Sequence, residues 1–274
     1  MGHPVHPQLQ DTKERALPPS QGQSEQDHLV YVKHLALYSH FLQHCMGKRV
    51  LDLGCGEGYG ANAIAKVADF LVAADYSIPA VAHARREYGN INTAHVVCDA
   101  QNLPFRPASF ETILSFEVIE HIPDVRGYLD QMRHQCLEGG VAIISTPNRS
   151  MRLLPFQKPW NRFHLREYDH RSLARTLGKV FSNIDLYGVT AIPEIVQIER
   201  QRVRQNPFVA YPKMIAQVVL PDPIYARLRR VFGARVPGNK GARPSKVGPY
   251  TTDDFAISAD GLETCINLVA VLRC

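Results

Sequence analysis

Two glutamates and a histidine lie in one short segment of the sequence. Glu117 and Glu120 are three residues apart and His121 follows directly, so the side chains would share a face on a helical turn. His164 is a fourth candidate, placed after the next predicted strand. Carboxylate oxygens and imidazole nitrogens together suit a hard or borderline divalent cation such as Mg²⁺. The pattern predicts a metal site made of Glu117, Glu120, His121 and His164, with His121 and Glu120 as catalytic residues that accept a proton.

These residues also have interpretations that involve no metal. His121 could act as a general base, or orient a substrate, without a cation. His164 could be a loop residue that binds backbone groups, and the whole group could be structural. The residues alone leave these alternatives open.

Apolar runs that resemble buried strands alternate with helical patterns along the chain, and these elements must position the polar side chains. The predicted strands are Arg49–Leu53, Phe70–Ala74, Thr93–Cys98, Thr112–Phe116, Val141–Ser145, Phe181–Tyr187 and Leu268–Leu272. The predicted helices are Tyr59–Val67, Ile78–Glu87, Val125–Cys136 and Asp169–Leu177. The alternation predicts an α/β fold of three layers, with a seven-stranded, mostly parallel sheet and helices on both faces. Ligands of such folds bind at the carboxyl ends of the strands.

A glycine-rich turn, Asp52-Leu-Gly-Cys-Gly-Glu-Gly-Tyr-Gly60, follows the first predicted strand. Gly54 and Gly56 allow a tight turn and a close approach of the backbone to a nucleotide. Asp52 and Glu57 would repel a pyrophosphate and instead suit a ligand with a cationic group such as an ammonium. Tyr59 stands where a dinucleotide fingerprint has its third glycine, and no Gly-Lys-Ser/Thr follows, which excludes a P-loop.

Two further acids end the next predicted strands. Asp75 follows the second strand, about 20 residues beyond the glycines, where an acid can bind ribose hydroxyls. Asp99 follows the third strand and could accept a hydrogen bond from an adenine amino group.

These ordered segments resemble the motifs of class I S-adenosylmethionine-dependent methyltransferases of the type 11 branch, which includes ubiquinone-pathway and glycan-cluster O-methyltransferases. The resemblance rests on residues 50–60, Asp75, residues 99–105 and residues 115–121. It implies a Rossmann-like methyltransferase fold with S-adenosyl-L-methionine as the cofactor. The cofactor-binding residues that it implies are Asp52, Gly54, Cys55, Gly56, Asp75, Tyr76, Asp99, Ala100 and Phe116.

The resemblance also bears on the methyl acceptor. Ser-Phe-Glu-Val follows the fourth strand, where many methyltransferases of amino groups carry Asn/Asp-Pro-Pro-Tyr/Phe. This favours O-methylation of a hydroxyl in a vicinal diol, sugar or polyphenol, on a small-molecule or glycan acceptor.

Other functions remain as alternatives. Glu-x-x-Glu-His with a distal histidine is similar to the metal site of small-RNA 3′-end 2′-O-methyltransferases, so an RNA 2′-O-methyltransferase is one of them. A catalytically silent binding partner with a methyltransferase fold is disfavoured by the retained acids, Asp52 and Asp75. An NAD(P)-dependent oxidoreductase is opposed by Asp52 and Glu57.

The net charge of +5 is concentrated in one region, because eleven Lys and Arg stand against three Asp and Glu between Ala191 and Tyr250. We predict a disordered leader over residues 1–27 and a methyltransferase domain over 28–274, within which 190–262 is an inserted substrate or cap region before the last strand. The basic insertion could meet an anionic acceptor, a membrane surface or RNA, although a solvated face is the simpler interpretation. No stable protein partner is implied.

Six cysteines are scattered without a C-x-x-C pair, which predicts reduced, buried thiols and no disulfide framework or zinc site. The N-terminal region has no apolar core typical of a secretory signal, and no apolar run approaches the roughly 20 residues of a membrane span. These features predict a cytoplasmic protein.

Overall fold

The computed structural model describes residues 25–153, 157–159, 161–204 and 250–274. In these residues, eight strands form one sheet in the order β3-β2-β1-β4-β5-β8-β6-β7. The strands are β1 Arg49–Leu53, β2 Phe70–Asp75, β3 Thr93–Val97, β4 Phe110–Phe116, β5 Cys136–Pro147, β6 Asn183–Ala191, β7 Phe255–Ser258 and β8 Asn267–Arg273. Strands β1 to β5 pair in parallel, whereas β8 is antiparallel to both β5 and β6.

Helices cover both faces of the sheet, so the expected three-layer α/β architecture is confirmed. The helices are α1 Glu25–Phe41, α2 Tyr59–Ala65, α3 Ile78–Tyr88, α4 Val125–Gln135, α5 Arg149–Arg152, α6 His170–Leu177 and α7 Pro193–Arg204. Leu51 and Leu53 of β1 pack in the core shared with α4 and α6, whereas Val50 packs in the core shared with α1 and α2. This alternation follows from the two-residue period of a strand.

Capping side chains begin several helices just beyond the strands. Ser77 accepts a hydrogen bond from the backbone N–H of Ala80 at the start of α3, and Asp124 accepts one from Gly127 at the start of α4. Such oxygens satisfy amides that have no partner within the first helical turn. The caps therefore limit the lengths of the loops that follow β2 and β4, where a ligand would bind.

The sheet departs from the prediction in its number of strands, because the described residues contain eight and not seven. The additional strand, β7, pairs with β6 as an antiparallel edge. Its four residues, Phe-Ala-Ile-Ser, are too few to show a strand period, and none of them is fully buried. The strand lies inside the predicted insertion, residues 190–262, most of which is outside the described residues.

The termini of the predicted segments show a second difference. Residues 1–24 of the predicted leader lie outside the described residues, and α1 begins at Glu25, within the leader's last three positions. No helix in the described ranges is long and apolar enough to cross a membrane.

The prediction that all cysteines are reduced is wrong for one pair. Cys136, at the start of β5, and Cys274, just beyond β8, form a disulfide with their Cα atoms 6.1 Å apart. The antiparallel pairing of β5 with β8 brings them together, and Cys274 also exchanges backbone hydrogen bonds with Gly139 and Gly140. Because 138 residues separate the two cysteines, their spacing in the sequence could not reveal the pair. Cys45, Cys55, Cys98 and Cys265 are free thiols.

Replacing Cys274 with Ser should lower the free energy of unfolding by about 2–5 kcal/mol, since the disulfide closes a long loop in the unfolded chain. Chemical denaturation with and without dithiothreitol measures this loss. The wild-type protein under reducing conditions should match the Cys136→Ser, Cys274→Ser double variant, which should itself not respond to reductant. Equal stability of the oxidised wild-type protein and the double variant would contradict the prediction.

Candidate active site

The order of the strands reverses beside β1, which lies between β2 and β4, and this arrangement opens a crevice at the carboxyl ends of these strands. The glycine-rich turn leaves β1 at that edge. Gly54 has a φ of 86°, and a Cβ there would overlap the side chain of Val118 in the loop after β4. The N–H groups of Gly54 and Cys55 both donate to the carbonyl of Ala74 at 2.7 and 3.0 Å. The turn is thereby held against β2, with its backbone directed along the crevice.

Asp52 is fully buried at the end of β1. The hydroxyl of Tyr38, in α1, donates to both carboxylate oxygens at 3.1 and 3.2 Å. Burial raises the pKa of Asp52 to about 7, against the lowering effect of the Tyr38 hydrogen bond, and the nearby charge of Asp75 raises it further. Asp52 is therefore a carboxyl group whose ionised form would gain strongly from a cation.

Tyr38 is a site residue that sequence reasoning missed. Its ring packs against Phe116 at 4.9 Å between centroids, and a Cβ at Gly60 would overlap the same ring. The last glycine of the turn is thus required by the approach of α1. The sequence does carry a signal for Tyr38. Its spacing from Lys33 and His34 places the three side chains on one side of α1, and that side faces the crevice.

Asp75 and Asp99 take different positions at the same edge. Asp75 is almost fully buried, and its carboxylate oxygens accept hydrogen bonds from the backbone N–H groups of Gly56 at 3.0 Å and Ser77 at 2.9 Å. Asp99 is exposed and accepts from the backbone N–H of Gln101 at 2.9 Å. Asp75 therefore joins the glycine-rich turn to the end of β2, and its predicted role in binding ribose stays a prediction.

The remaining residues expected at the cofactor lie along this edge. Tyr76 and Ala100 follow β2 and β3 and are half-buried, whereas Cys55 and Phe116 are buried. The structure thus brings together Asp52, Gly54, Cys55, Gly56, Asp75, Tyr76 and Phe116 at the ends of β1, β2 and β4, with Asp99 and Ala100 at the end of β3.

Glu117 has a different environment from the one predicted for a metal ligand. Its Oε1 accepts hydrogen bonds from Asn267 at 2.6 Å and Ser145 at 3.0 Å, and its Oε2 lies 3.5 Å from the ammonium of Lys33. Burial acts to raise the pKa of Glu117, but the charge of Lys33, together with His34, the hydrogen bond from Ser145 and the charge of Arg152, holds the pKa below its ordinary value. Glu117 is therefore ionised and already paired with a cation from the protein.

The backbone conformation of Glu117 separates its side chain from that of Glu120. Its φ of 58° is in the left-handed region that a non-glycine residue rarely occupies. This conformation turns the chain as it leaves β4, so that Glu117 faces α1 and β8 while Glu120 faces a second cluster. The helical turn assumed from the sequence does not place the two glutamates together.

Glu120, His121 and His164 form that second cluster. One ligand atom from each residue lies within 4.8 Å of the others, a separation that a single metal ion could bridge. Glu120 is fully buried; its Oε2 accepts from the hydroxyl of Thr146 at 2.9 Å, and its Oε1 has no hydrogen-bond partner among the described residues. A buried oxygen in this state is costly unless a cation or proton satisfies it.

The two histidines are held by their Nδ1 atoms. Nδ1 of His121 is 3.0 Å from the carbonyl oxygen of Phe163, and Nδ1 of His164 is 2.9 Å from Oε1 of Glu167. A carbonyl oxygen only accepts, and so does an ionised carboxylate, so both contacts select the tautomer with the proton on Nδ1. In that tautomer Nε2 carries the lone pair that could accept a metal or a proton.

The electrostatics of Glu120 differ from those of Glu117. Burial, and then the negative charge of Glu117, raise the pKa of Glu120 well above its ordinary value. Without a cation, the ionised form of Glu120 is therefore disfavoured. The cluster has the composition of a cation site in which a bound ion would stabilise the ionised carboxylate.

The fold, the crevice where the order of the strands reverses and the buried acids together define a class I S-adenosylmethionine-dependent methyltransferase. Residues 2–190 match the family model of a methyltransferase domain, and the chain belongs to this family. Its cofactor is S-adenosylmethionine, as expected from the turn and its acids.

Several curated sequences are similar to the chain. It is 35% identical over 166 residues to a probable S-adenosylmethionine-dependent methyltransferase of Mycolicibacterium smegmatis, a match that spans 61% of this chain and 62% of the relative. It is 32% identical over 244 residues to one of Mycobacterium tuberculosis, covering 87% of this chain and 81% of the relative. A ubiquinone biosynthesis O-methyltransferase of Sinorhizobium fredii is 30% identical over 112 residues, which is 40% of this chain and 45% of that protein.

Solved structures share the fold. A possible histamine N-methyltransferase of Thermotoga maritima has a TM-score of 0.53 at 15% identity and covers 91% of this chain and 95% of its own. A [4+2]-cyclase has a TM-score of 0.51 at 13% identity and covers 88% and 81%. Because these two proteins are named for different reactions, the shared fold says nothing about the acceptor.

Binding of S-adenosylhomocysteine should depend on the ionisation of Asp52, since a neutral carboxyl attracts the ligand's ammonium less than a carboxylate does. With the pKa of Asp52 at about 7, the affinity should rise with pH, by roughly tenfold per unit, until about pH 7 and then level off. Calorimetric titration between pH 5.5 and 8 measures this profile.

The matched control is Asp52→Asn, which should bind more weakly and lose the pH dependence. The pKa of buried His34 is lowered to about 4, so this neighbour does not titrate in the same range. A wild-type affinity that is constant from pH 5.5 to 8 would contradict the assignment of Asp52.

Proposed function

We propose that the protein methylates a hydroxyl oxygen of an acceptor that presents two neighbouring oxygens, and that Glu120, His121 and His164 hold a divalent cation such as Mg²⁺ for this purpose. Two observations carry the proposal: Oε1 of Glu120 has no hydrogen-bond partner among the described residues, and a carboxylate oxygen of Glu120 lies within 4.8 Å of ligand atoms on both histidines. When bound, such a cation would orient both acceptor oxygens and lower the pKa of the hydroxyl.

The chain's residues divide the work of the reaction. Asp52, the glycine-rich turn and Asp75 hold the cofactor, while the Glu120 cluster orients the acceptor at the adjacent strand end. The bound cofactor would supply the methyl group: the acceptor oxygen would take it in line as the methyl–sulfur bond breaks, with S-adenosylhomocysteine as the leaving group. The hydroxyl proton would pass to solvent, because His121 would serve as a ligand of the ion.

The charge balance of the site favours an acceptor oxygen that can ionise. Lys33 pairs with Glu117 at 3.5 Å, and Arg152 pairs with Glu167 at 3.5 Å. The charges within each of these pairs cancel. An ionised Glu120 together with a divalent cation would then leave a net charge of +1. An acceptor bound as a monoanion would neutralise it.

A version without metal makes His121 the general base. It is supported by the hydrogen bond from Nδ1 to the Phe163 carbonyl, which leaves Nε2 to accept the hydroxyl proton. One nitrogen cannot bind a cation and accept a proton at once, so removal of metal separates the two versions.

The acceptor class is proposed from two observations. The similarity to ubiquinone biosynthesis O-methyltransferases and the Ser-Phe-Glu-Val segment after β4 support a small-molecule or glycan hydroxyl. Most of the basic stretch that would meet an anionic acceptor, a membrane or RNA lies outside the described residues. A cytoplasmic location also stays a proposal; free thiols fit it, whereas a disulfide is rare there.

The metal proposal predicts one Mn²⁺ site in protein treated with EDTA and then dialysed. Glu120→Gln and His164→Asn should each weaken Mn²⁺ binding at least tenfold, since each removes a ligand, while binding of S-adenosylhomocysteine stays within twofold of wild type. Electron paramagnetic resonance measures free Mn²⁺, and methyl transfer to 3,4-dihydroxybenzoate as a probe diol should stop in EDTA and return with Mg²⁺.

His134→Asn is the matched control, because His134 is exposed on α4 away from the cluster. This substitution should change neither the binding of Mn²⁺ nor the methyl transfer. Methyl transfer that is unaffected by EDTA would rule out the cation, and the metal-free version would then require that His121→Asn abolish the transfer.

A further inference from the structure

We propose that Glu167 is a positioning residue, which fixes the ring and tautomer of His164 so that Nε2 is presented to Glu120 and His121. This inference rests on the proposed function of that cluster. Glu167 follows β5 by some twenty positions in the sequence and belongs to none of the motifs at the strand ends.

The carboxyl group of Glu167 is completely buried, with 0% of its side chain exposed. Its Oε1 accepts from Nδ1 of His164 at 2.9 Å and lies 3.5 Å from Nε of Arg152. Burying a carboxylate with these partners adds little to stability, and a well-packed apolar side chain would often serve as well. An ionisable group in this place therefore points to an effect on His164.

The contact between Glu167 and His164 decides which imidazole nitrogen carries the proton. A carboxylate can only accept, so it selects the tautomer with hydrogen on Nδ1 and leaves the lone pair on Nε2. Histidines that bind metals commonly donate their other ring nitrogen to a carboxylate or a backbone carbonyl, which orients the ring and increases its basicity. The pair of Glu167 and His164 has this arrangement.

The surrounding segment, residues 161–168, holds both histidines in the same manner. The carbonyl of Phe163 takes the Nδ1 proton of His121, and Glu167 takes that of His164. The backbone N–H of Leu165 donates to the carbonyl of Glu120 at 3.0 Å, and Arg166 donates to the carbonyls of Ile122 and Pro123. These hydrogen bonds join the segment to the loop after β4. Glu167 is the residue of the segment that holds a histidine through an ionisable group.

The first test is the tautomer of His164 in Glu167→Gln, which keeps the volume but replaces one oxygen with an amide that can donate. Long-range proton–nitrogen NMR of protein labelled in histidine should show His164 protonated on Nδ1 in the wild type. The variant should show a mixture of tautomers or protonation on Nε2. His164→Asn assigns the resonance.

The second test is Mn²⁺ affinity in the absence of acceptor. Glu167→Gln should weaken it 10- to 100-fold, with binding of S-adenosylhomocysteine unchanged within twofold. Glu111→Gln is the control, because Glu111 is also a glutamate paired with an arginine, and with a lysine in place of the histidine. It lies at the start of β4, at the end of that strand opposite to the Glu120 cluster. It should leave both measurements at their wild-type values.

A variant that loses only thermal stability, with the tautomer and the Mn²⁺ affinity unchanged, would show that Glu167 is merely structural and would overturn the inference. If the wild-type protein binds no Mn²⁺, the metal proposal fails, and the tautomer measurement alone decides the role of Glu167. The failure of the metal proposal is therefore distinguishable from the failure of the inference about Glu167.

Discussion

The site depends on one constraint, which is that several carboxyl groups are removed from water at the same edge of the sheet. In the described part of the chain Asp52, Asp75, Glu120 and Glu167 are buried, and the side chain of Glu117 is 16% exposed. Each would cost several kcal/mol if ionised without compensation. Backbone amides compensate Asp75, while Lys33 compensates Glu117. Asp52 and Glu120 have only a neutral hydroxyl each, and they are the groups that a cationic ligand would satisfy.

Helix α1 is part of the site because of this constraint. It supplies the lysine for Glu117 and the Tyr38 hydroxyl for Asp52, and it is packed closely enough that Gly60 has no room for a side chain. A helix that supplies polar groups to a buried crevice lacks a clean apolar stripe. This is why its sequence, rich in histidine and tyrosine between positions 28 and 44, did not indicate a helix with a role at the cofactor.

Sequence reasoning succeeded where a residue's neighbours along the chain determine its environment. The parallel strands were found because each is an apolar run between turns, and Asp52 and Asp75 were found because they end such runs. Contacts between distant segments were not accessible. The disulfide of Cys136 with Cys274 depends on the register of β5 with β8, and the pairing of Glu117 with Lys33 depends on where α1 packs. Strand β7 was too short to show the two-residue alternation of a strand.

The two glutamates after β4 show most clearly what the sequence leaves undetermined. Glu117 and Glu120 are the same residue type three positions apart, yet the pKa of one is lowered and that of the other is raised. The left-handed backbone at Glu117 sends the two side chains to different neighbours, and Glu117 forms an ion pair with Lys33. Since the negative charge of Glu117 adds to the cost of ionising Glu120, a second cation supplied from outside would be bound more tightly there. The Lys33 pair therefore leaves Glu120 as the carboxyl group of this loop that an external cation would satisfy.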